Sequence, residues 1–443
     1  MASSHVGKMM RIAFEINDKG FHNIDLSKPI KGNPGVGGTW YEFALVIYAL
    51  KEYGKRNDEL VIYHYNDNVY PEGILCKRLH SENELFRNAK NDSVDLLVFK
   101  TEKNDEWYKN LSNFNINSIA WSHTFMNYPE RKNISKCNQV KRMICVGKEH
   151  YDSYLDEDII NKTDYIYNMV AKTDSMTRRK FENEVTYIGS IIPAKSFHVL
   201  ASVWRYIIKE IPDAKLNVIG SGKLYQQNCV LGPYGIADEK YEKSFINYLT
   251  DDNGNILSSV NFMGNLGAEK KEIILNTAVG VVNPTTKSET FCISAVEFEQ
   301  YGVPVCSGKK NGLLDTVSHK ESGLLSNNKR QLKKNIIKLL KDDEYNIKLG
   351  EKAKKHSTLF LPEAIVPEWE RCLTEIEEER ECQYYKPTGN FLYNGKIVKC
   401  LVRFLRFKLK LKFIPSIGQL EDELYEIYSY IRSKFKHRKV YQK

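Results

Sequence analysis

The 443-residue sequence has no low-complexity tract, no CxxC pair and no run of the roughly 18 apolar residues that a membrane-spanning helix needs. No spanning segment is therefore predicted. The nine cysteines are scattered and odd in number, so neither a zinc site nor a disulfide framework is expected. The N-terminal residues lack the apolar core of a signal peptide, and we expect a cytoplasmic protein.

Most of the chain also has no excess of acidic or basic residues. The formal net charge is +9, from 65 Lys and Arg against 56 Asp and Glu. Residues 396–443 hold 13 basic and 4 acidic residues, which leaves 52 of each in residues 1–395. Because this body is neutral, no nucleic-acid-binding face is predicted, and the basic tail needs its own explanation.

Short apolar runs recur along the chain between polar or helical stretches. They cover residues 11–14, 60–63, 96–99, 118–121, 143–146, 185–188, 216–219, 260–262 and 279–282. This alternation predicts α/β domains with parallel sheets, and the length suits two cores rather than one. The polar stretch 171–184 is the candidate linker. The predicted parts are a first domain 1–172, a second domain 185–362, a helix 363–380 and a basic tail 396–443.

The most informative stretch is VGVVNPTTKSETFCISAVEFEQYGVPV, residues 279–305. It predicts a buried strand, a loop and then a helix that Gly302 terminates. The backbone N–H groups of Thr290, Phe291 and Cys292 would lie free at the start of this helix. Such a helix start favours an anion, for example a diphosphate.

Two acids flank the predicted helix start. Glu297 follows Glu289 by eight positions, or about two helical turns, on nearly the same face. Because carboxylates accept hydrogen bonds from hydroxyl groups, the pair can hold both ends of one elongated ligand. The same spacing also suits a capping acid and a solvated acid with no ligand.

This stretch resembles the E-x7-E signature of family 4 glycosyltransferases, including the trailing G-V-P-V, and the resemblance extends at motif level over residues 11–376. It implies a GT-B fold, in which two Rossmann-like domains face each other across a cleft. It also implies sugar transfer with retention at the anomeric carbon. In that family the first acid contacts the transferred sugar and the second the ribose, which correspond here to Glu289 and Glu297.

Other family segments follow in the same order. VTYIGSIIPAKSFHVLASVW is similar to the donor-phosphate segment, with Lys195 matching the lysine at the leaving diphosphate. Ser190 stands where the family has an arginine, which halves the cationic charge expected there. Residues 216–225 and 260–278 resemble the glycine turn and the segment around the base. Further donor contacts are accordingly expected from Gly189, Ser190, Gly222 and Met263, and from Thr290, Phe291 and Cys292.

The first domain carries two more resemblances. Gly37 and Gly38 precede a helical apolar pattern, where glycines allow close approach to a phosphate or sugar, although a plain turn is also possible. His123 follows a predicted strand, and the family has a histidine at a similar place near the sugar's reactive end. A lone histidine can also be structural. We assign His123 and Glu289 to positioning and electrostatic stabilisation, and Lys195 to the leaving diphosphate.

In the tail, five cations recur at intervals of 3, 4, 3 and 4: Lys396, Lys399, Arg403, Arg406 and Lys410. This spacing predicts an amphipathic helix over about 18 residues, 396–413, which would lie on an anionic membrane surface. Alternatively, the apolar side packs on the body, or residues 408–413 form an edge strand.

The resemblance implies transfer of a sugar from a UDP- or GDP-sugar to a glycan or lipid-linked acceptor. The expected setting is assembly of a bacterial surface polysaccharide at the inner face of the membrane. No essential metal or cofactor is expected, because the acidic pairs 251–252 and 342–343 lie in polar stretches rather than at strand ends. Two other functions stay open: a nucleotide-sugar epimerase, and a catalytically silent GT-B subunit that partners another transferase.

Overall fold

The computed structural model of the protein describes residues 9–173, 183–223, 230–284, 289–387, 389 and 391–440. Most of the candidate linker, residues 174–182, lies outside this described part, as do residues 285–288 of the loop that follows residue 284.

The first domain is built on a seven-stranded parallel sheet with the order β3-β2-β1-β4-β5-β6-β7. Its strands read as nearly continuous apolar runs, because helices cover both faces of the sheet. The strands are β1 (Arg11–Ile16), β2 (Glu59–His64), β3 (Leu75–Arg78), β4 (Leu96–Lys100), β5 (Ser118–Ser122), β6 (Val140–Cys145) and β7 (Thr163–Tyr165). The helices are α1 (Gly38–Tyr53), α2 (Glu82–Asn91), α3 (Asp105–Phe114), α4 (Tyr128–Lys136) and α5 (Lys148–Asp152).

The second domain has a six-stranded parallel sheet with the order β10-β9-β8-β11-β12-β13. Its strands are β8 (Glu184–Ile188), β9 (Lys215–Ile219), β10 (Val260–Gly264), β11 (Val279–Val282), β12 (Val305–Gly308) and β13 (Gly323–Ser326). Its helices are α6 (Phe197–Glu210), α7 (Glu239–Glu242), α8 (Lys270–Asn276), α9 (Ile293–Gln300), α10 (Leu313–Thr316), α11 (Lys329–Lys341) and α12 (Asp343–Ser357).

The two parallel sheets confirm the predicted α/β fold class with two Rossmann-like domains. All nine predicted strands are present within two or three residues of their expected bounds. Four strands were not predicted: β3, β7, β12 and β13. The strand β3 is an exposed edge and β7 has only three residues, so neither carries a long apolar run.

The strand order reverses between β1 and β4 in the first sheet and between β8 and β11 in the second. Loops that leave the carboxyl ends of such neighbouring strands diverge, and the crevice between them is the usual ligand site of an open α/β sheet. The carboxyl ends of β8 and β9 come very close, since a Cβ at Gly220 would collide with the carbonyl oxygen of Gly189.

The chain returns to the first domain after α12. Helix α13 (Pro362–Glu377) buries Trp369 in the core beneath α1. Next to this return, the amide of Val170 donates to the carbonyl oxygen of Phe360 at 2.9 Å, and Lys172 pairs with Glu363 at 2.6 Å. The outgoing and returning segments therefore run side by side.

The tail forms helix α14 (Lys396–Arg403), a π-helical continuation (Phe404–Lys408) and helix α15 (Ile417–Val440). The basic face of α14 packs on the first domain. Lys396 is fully buried and pairs with Glu149 and, at 3.0 Å, with Asp152. Burial alone would lower the pKa of Lys396, but the two carboxylates raise it.

The next three cations of the stripe also face the first domain. Lys399 and Arg403 donate to main-chain carbonyl oxygens at 2.6 and 2.9 Å, and Arg406 pairs with Asp158 at 3.3 Å. Four of the five cations of this stripe therefore face the first domain, where acids and carbonyl groups bind them, and not the outside. That the tail lies on an anionic membrane surface stays a prediction. The two alternatives, an apolar face on the body and an edge strand, are wrong. None of the helices in the described ranges is long and apolar enough to cross a membrane.

We expect Lys396→Met to destabilise the first domain by about 3 to 5 kcal/mol, because it leaves Glu149 and Asp152 as buried carboxylates without their cation. Urea unfolding followed by tryptophan fluorescence measures the change. Lys410→Met, at an exposed position of the same tail, is the matched control and should change stability little. Equal unfolding midpoints for the two variants would contradict the inward orientation of α14.

Candidate functional site

A cleft of about 610 Å³ lies between the carboxyl edges of the two sheets. The first domain contributes the loop before α1 and the segments after β4 and β5. The second domain contributes the segments after β8, β9 and β11, including the start of α9. The cleft thus contains the strand-order reversal of the second sheet, between β8 and β11.

Glu289 and Lys195 form an ion pair in this cleft. Glu289 follows β11, Lys195 follows β8, and the two side chains meet at 2.6 Å although 94 residues separate them. The amide of Asn283 also donates to the Glu289 carboxylate. The side chain of Glu289 is 9% exposed and that of Lys195 is 26% exposed, so the lysine is the more accessible member of the pair.

Glu297 forms a second ion pair of the same kind, with Lys270 at 2.7 Å. Glu297 lies on α9, and Lys270 is the first residue of α8. Both also line a neighbouring cavity of about 500 Å³, which shares Asn33 and Ile293 with the cleft. The second pair therefore lies where the cleft continues into this cavity.

His123 approaches the cleft from the first domain, directly after β5. The hydroxyl of Thr290 donates to its main-chain carbonyl oxygen at 2.6 Å, which joins the two domains at this point. The imidazole packs against Trp121, and within the described residues its Nε2 has no hydrogen-bond partner. Burial, followed by the charge of Lys100, lowers the pKa of His123 well below its ordinary value, so the ring is neutral at pH 7.

The glycine loop faces α9 across the cleft. Gly37 is the residue before α1 and Gly38 is its first residue, and both line the cleft. A Cβ at Gly38 would lie 3.2 Å from Ile293 Cδ1, so a larger residue would press the loop against the start of α9. Glycine at this position permits the close approach of the two domains.

Most of the expected donor-binding residues line the same cleft: Gly189, Ser190, Thr290, Phe291 and Cys292. Burial, followed by the charge of Glu289, raises the pKa of the Cys292 thiol to about 12, so the side chain stays protonated.

Two expected donor contacts do not reach the cleft. Within the described residues, neither Gly222 nor Met263 lies in its lining. A Cβ at Gly222 would lie 2.7 Å from the Cα of Ala237, and Met263 packs against the apolar core of the second domain.

Two further lysines line the cleft, Lys270 and Lys100. Lys270 carried no signal, because its pairing with Glu297 appears only once α8 and α9 are folded together. Lys100 ends strand β4 and lines the cleft beside Trp40, with its Nζ 5.5 Å from the ring centroid. Lys100 could have been predicted from the sequence, because it directly follows an apolar run and the carboxyl ends of parallel strands line the ligand site. Across the described ranges, no group of three or more His, Cys, Asp or Glu residues is placed to hold a metal ion.

Comparison with known proteins gives matches over part of the chain. Residues 172–356 match the family described as Glycosyl transferases group 1. An uncharacterized glycosyltransferase of Methanocaldococcus jannaschii is 28% identical over 242 residues, which cover 54% of this chain and 59% of the relative. One from Haemophilus influenzae is 22% identical over 277 residues, covering 59% of this chain and 71% of that protein.

Solved structures match most of the fold at low identity. Sucrose-phosphate synthase from Thermosynechococcus elongatus aligns with a TM-score of 0.58 at 14% identity, over 84% of this chain and 100% of that one. The Anabaena protein HepE, in complex with UDP-glucose, aligns with a TM-score of 0.58 at 16% identity, over 83% and 100%. At these identities the likeness concerns the fold.

The two facing parallel-sheet domains, the cleft between them and the match over residues 172–356 lead to one assignment. The chain has the GT-B fold, and residues 172–356, which include most of its second domain, are similar to the Glycosyl transferases group 1 family.

Proposed function

We propose that this protein transfers a sugar, with retention, from a UDP- or GDP-sugar to a glycan or lipid-linked acceptor in the assembly of a bacterial surface polysaccharide. The observation that carries the proposal is the arrangement of Glu289 with Lys195 and of Glu297 with Lys270 along one side of the cleft. These two pairs offer carboxylates for hydroxyl groups and ammonium groups for a diphosphate.

The donor lies along α9 in this proposal. The diphosphate occupies the start of the helix, where backbone N–H groups and the Lys195 ammonium stabilise its charge. Glu289 accepts hydrogen bonds from hydroxyls of the transferred sugar, and Glu297 accepts them from the ribose. The neighbouring 500 Å³ cavity receives the base, because it opens beyond the Lys270–Glu297 pair.

Each of the two acids is neutralised by its own lysine before a donor binds. A bound diphosphate competes for Lys195, the more exposed partner, and leaves the Glu289 carboxylate free for the sugar. Lys270 adds a second cation on the donor side, where Ser190 replaces the family's arginine. We therefore assign Lys270 to the nucleotide, next to the ribose.

The reaction breaks the bond between the anomeric carbon and the diphosphate oxygen, and positive charge develops on the sugar ring. The acceptor hydroxyl attacks from the same face, and its proton passes to the leaving phosphate. The negative charge of Glu289 stabilises the ring, and Lys195 stabilises the leaving oxygen. We assign neutral His123 to positioning at the wall of the cleft on the side of the first domain, where it adds no charge of its own.

Two of the comparisons support a nucleotide-sugar donor. The Anabaena protein HepE, whose fold this chain shares, was solved with UDP-glucose and with UDP and glucose. The archaeal and the Haemophilus relatives are both named as glycosyltransferases.

We expect the protein to release nucleotide from a UDP- or GDP-sugar, and Glu289→Gln to slow this release about 100-fold or more by removing the charge that faces the ring. A coupled assay for UDP and GDP measures the rates. Glu321→Gln is the matched control, because Glu321 pairs with Lys352 at 2.6 Å outside the cleft. Full turnover by Glu289→Gln would refute its role, whereas donor binding without any release by the wild type would indicate a silent partner subunit.

Glu297→Ala should weaken binding of the nucleotide by about 1.5 to 3 kcal/mol, the range for a lost hydrogen bond to a charged group. Lys270→Met should weaken it as well, with kcat less affected than donor KM. Calorimetric titration with UDP and GDP measures both changes, with Lys352→Met as control. Unchanged affinity in both variants would remove the second pair from the nucleotide site.

Treatment with EDTA should leave turnover largely intact, because Lys195, Lys270 and the start of α9 supply positive charge at the diphosphate. Rates are compared before chelation, after chelation and after addition of Mg²⁺ or Mn²⁺. Loss of transfer on chelation with recovery on metal addition would show that the leaving group needs a cation from solution.

A further inference from the structure

The outward face of the tail helix is apolar. Ile397, Val398, Leu401 and Phe404 are between 46% and 59% exposed and follow one another at helical spacing. Leu409 and Phe413 follow the helix and are 51% and 83% exposed. We call these six residues the apolar ridge. Contiguous exposed apolar surface of this kind marks an interaction site rather than ordinary surface.

The ridge is held in this orientation. Lys396 is anchored between Glu149 and Asp152, and Lys399 donates to the carbonyl oxygen of Ser153. Turning the helix to bury its apolar side would break these buried contacts. The apolar side is therefore fixed toward the outside, which reverses the usual packing of an amphipathic helix on a protein body.

Positive charge accompanies the ridge. The exposed residues Lys408 and Lys410 alternate with Leu409 where the helix ends, just before Phe413. Apolar side chains next to lysines are complementary to a bilayer that carries negative headgroups, since the lysines reach phosphates while the apolar groups enter the acyl boundary.

The tail helix is connected to the cleft through α5. Phe125 lines the cleft, and its ring centroid is 5.0 Å from that of His150 on α5. The neighbouring residue on α5, Glu149, binds Lys396 of the tail helix. Helix α5 and the tail helix α14 therefore lie between this wall of the cleft and the ridge.

We propose that the apolar ridge inserts into the surface of an anionic lipid bilayer, with Lys408 and Lys410 on the headgroup phosphates. The first domain then rests on the membrane by its tail, and its cleft stays near the lipid surface. Binding itself is independent of sugar transfer. Delivery of a lipid-linked acceptor to the cleft rests on the proposed function.

The test is co-sedimentation of the full chain with phosphatidylcholine vesicles, with and without phosphatidylglycerol. We expect binding to the vesicles that contain phosphatidylglycerol, and a decrease of about tenfold or more in the Leu401→Ser/Phe404→Ser variant. Ile347→Ser is the matched control, because Ile347 is 50% exposed on α12 of the second domain. Lys408→Gln/Lys410→Gln should remove the preference for phosphatidylglycerol.

Three results would overturn the proposal: no vesicle binding by the wild type, equal binding by Leu401→Ser/Phe404→Ser, or a wild-type dimer that this variant converts to monomer. The last result, read by light scattering, would assign the ridge to a second copy of the chain. Nucleotide release by the variant with a soluble acceptor should equal that of the wild type, so a failure of membrane binding is distinguishable from a failure of the proposed transfer.

Discussion

The site depends on two parallel sheets presenting their carboxyl edges to each other. Neither edge alone makes a cleft, because each offers only loops that leave the ends of strands. The hydrogen bond from Thr290 to the carbonyl oxygen of His123 fixes the distance between the edges at the centre. Gly38 then allows the start of α9 to approach α1. Glu289 and Lys195 face the first domain across a cleft only because the two sheet edges are held in this arrangement.

Ion pairs between distant segments stabilise both the cleft and the tail. In both places a carboxylate of one segment is matched to a lysine from a distant segment, as in Glu289 with Lys195 and Glu149 with Lys396. In the cleft the lysine remains partly exposed. In the tail the lysine is completely buried, so its pair holds the helix in place.

The sequence was sufficient for the fold class and for the position of the two acids in the chain, because both follow from local pattern, whereas the roles of the acids rest on the family resemblance. The succession of a buried strand, a loop and a helix is enough to place Glu289 and Glu297 at the start of α9 and along it. Lys270 and the orientation of α14 could not be predicted in this way, because their partners come from remote parts of the chain: Glu149 precedes Lys396 by 247 residues. The place of Gly222 outside the described cleft lining could not be predicted, because a glycine required by packing against Ala237 has the same sequence signature as one that faces a ligand.

The chain crosses between the two domains twice, once outward near Val170 and once back near Phe360, and a hydrogen bond joins the two crossings. These two adjacent covalent connections define a single line, and that line is a candidate hinge axis between the domains. Beside that line the two domains are held together covalently, whereas at the opposite side of the cleft only non-covalent contacts hold them. A single proteolytic cut at either crossing would leave the two halves joined by the other.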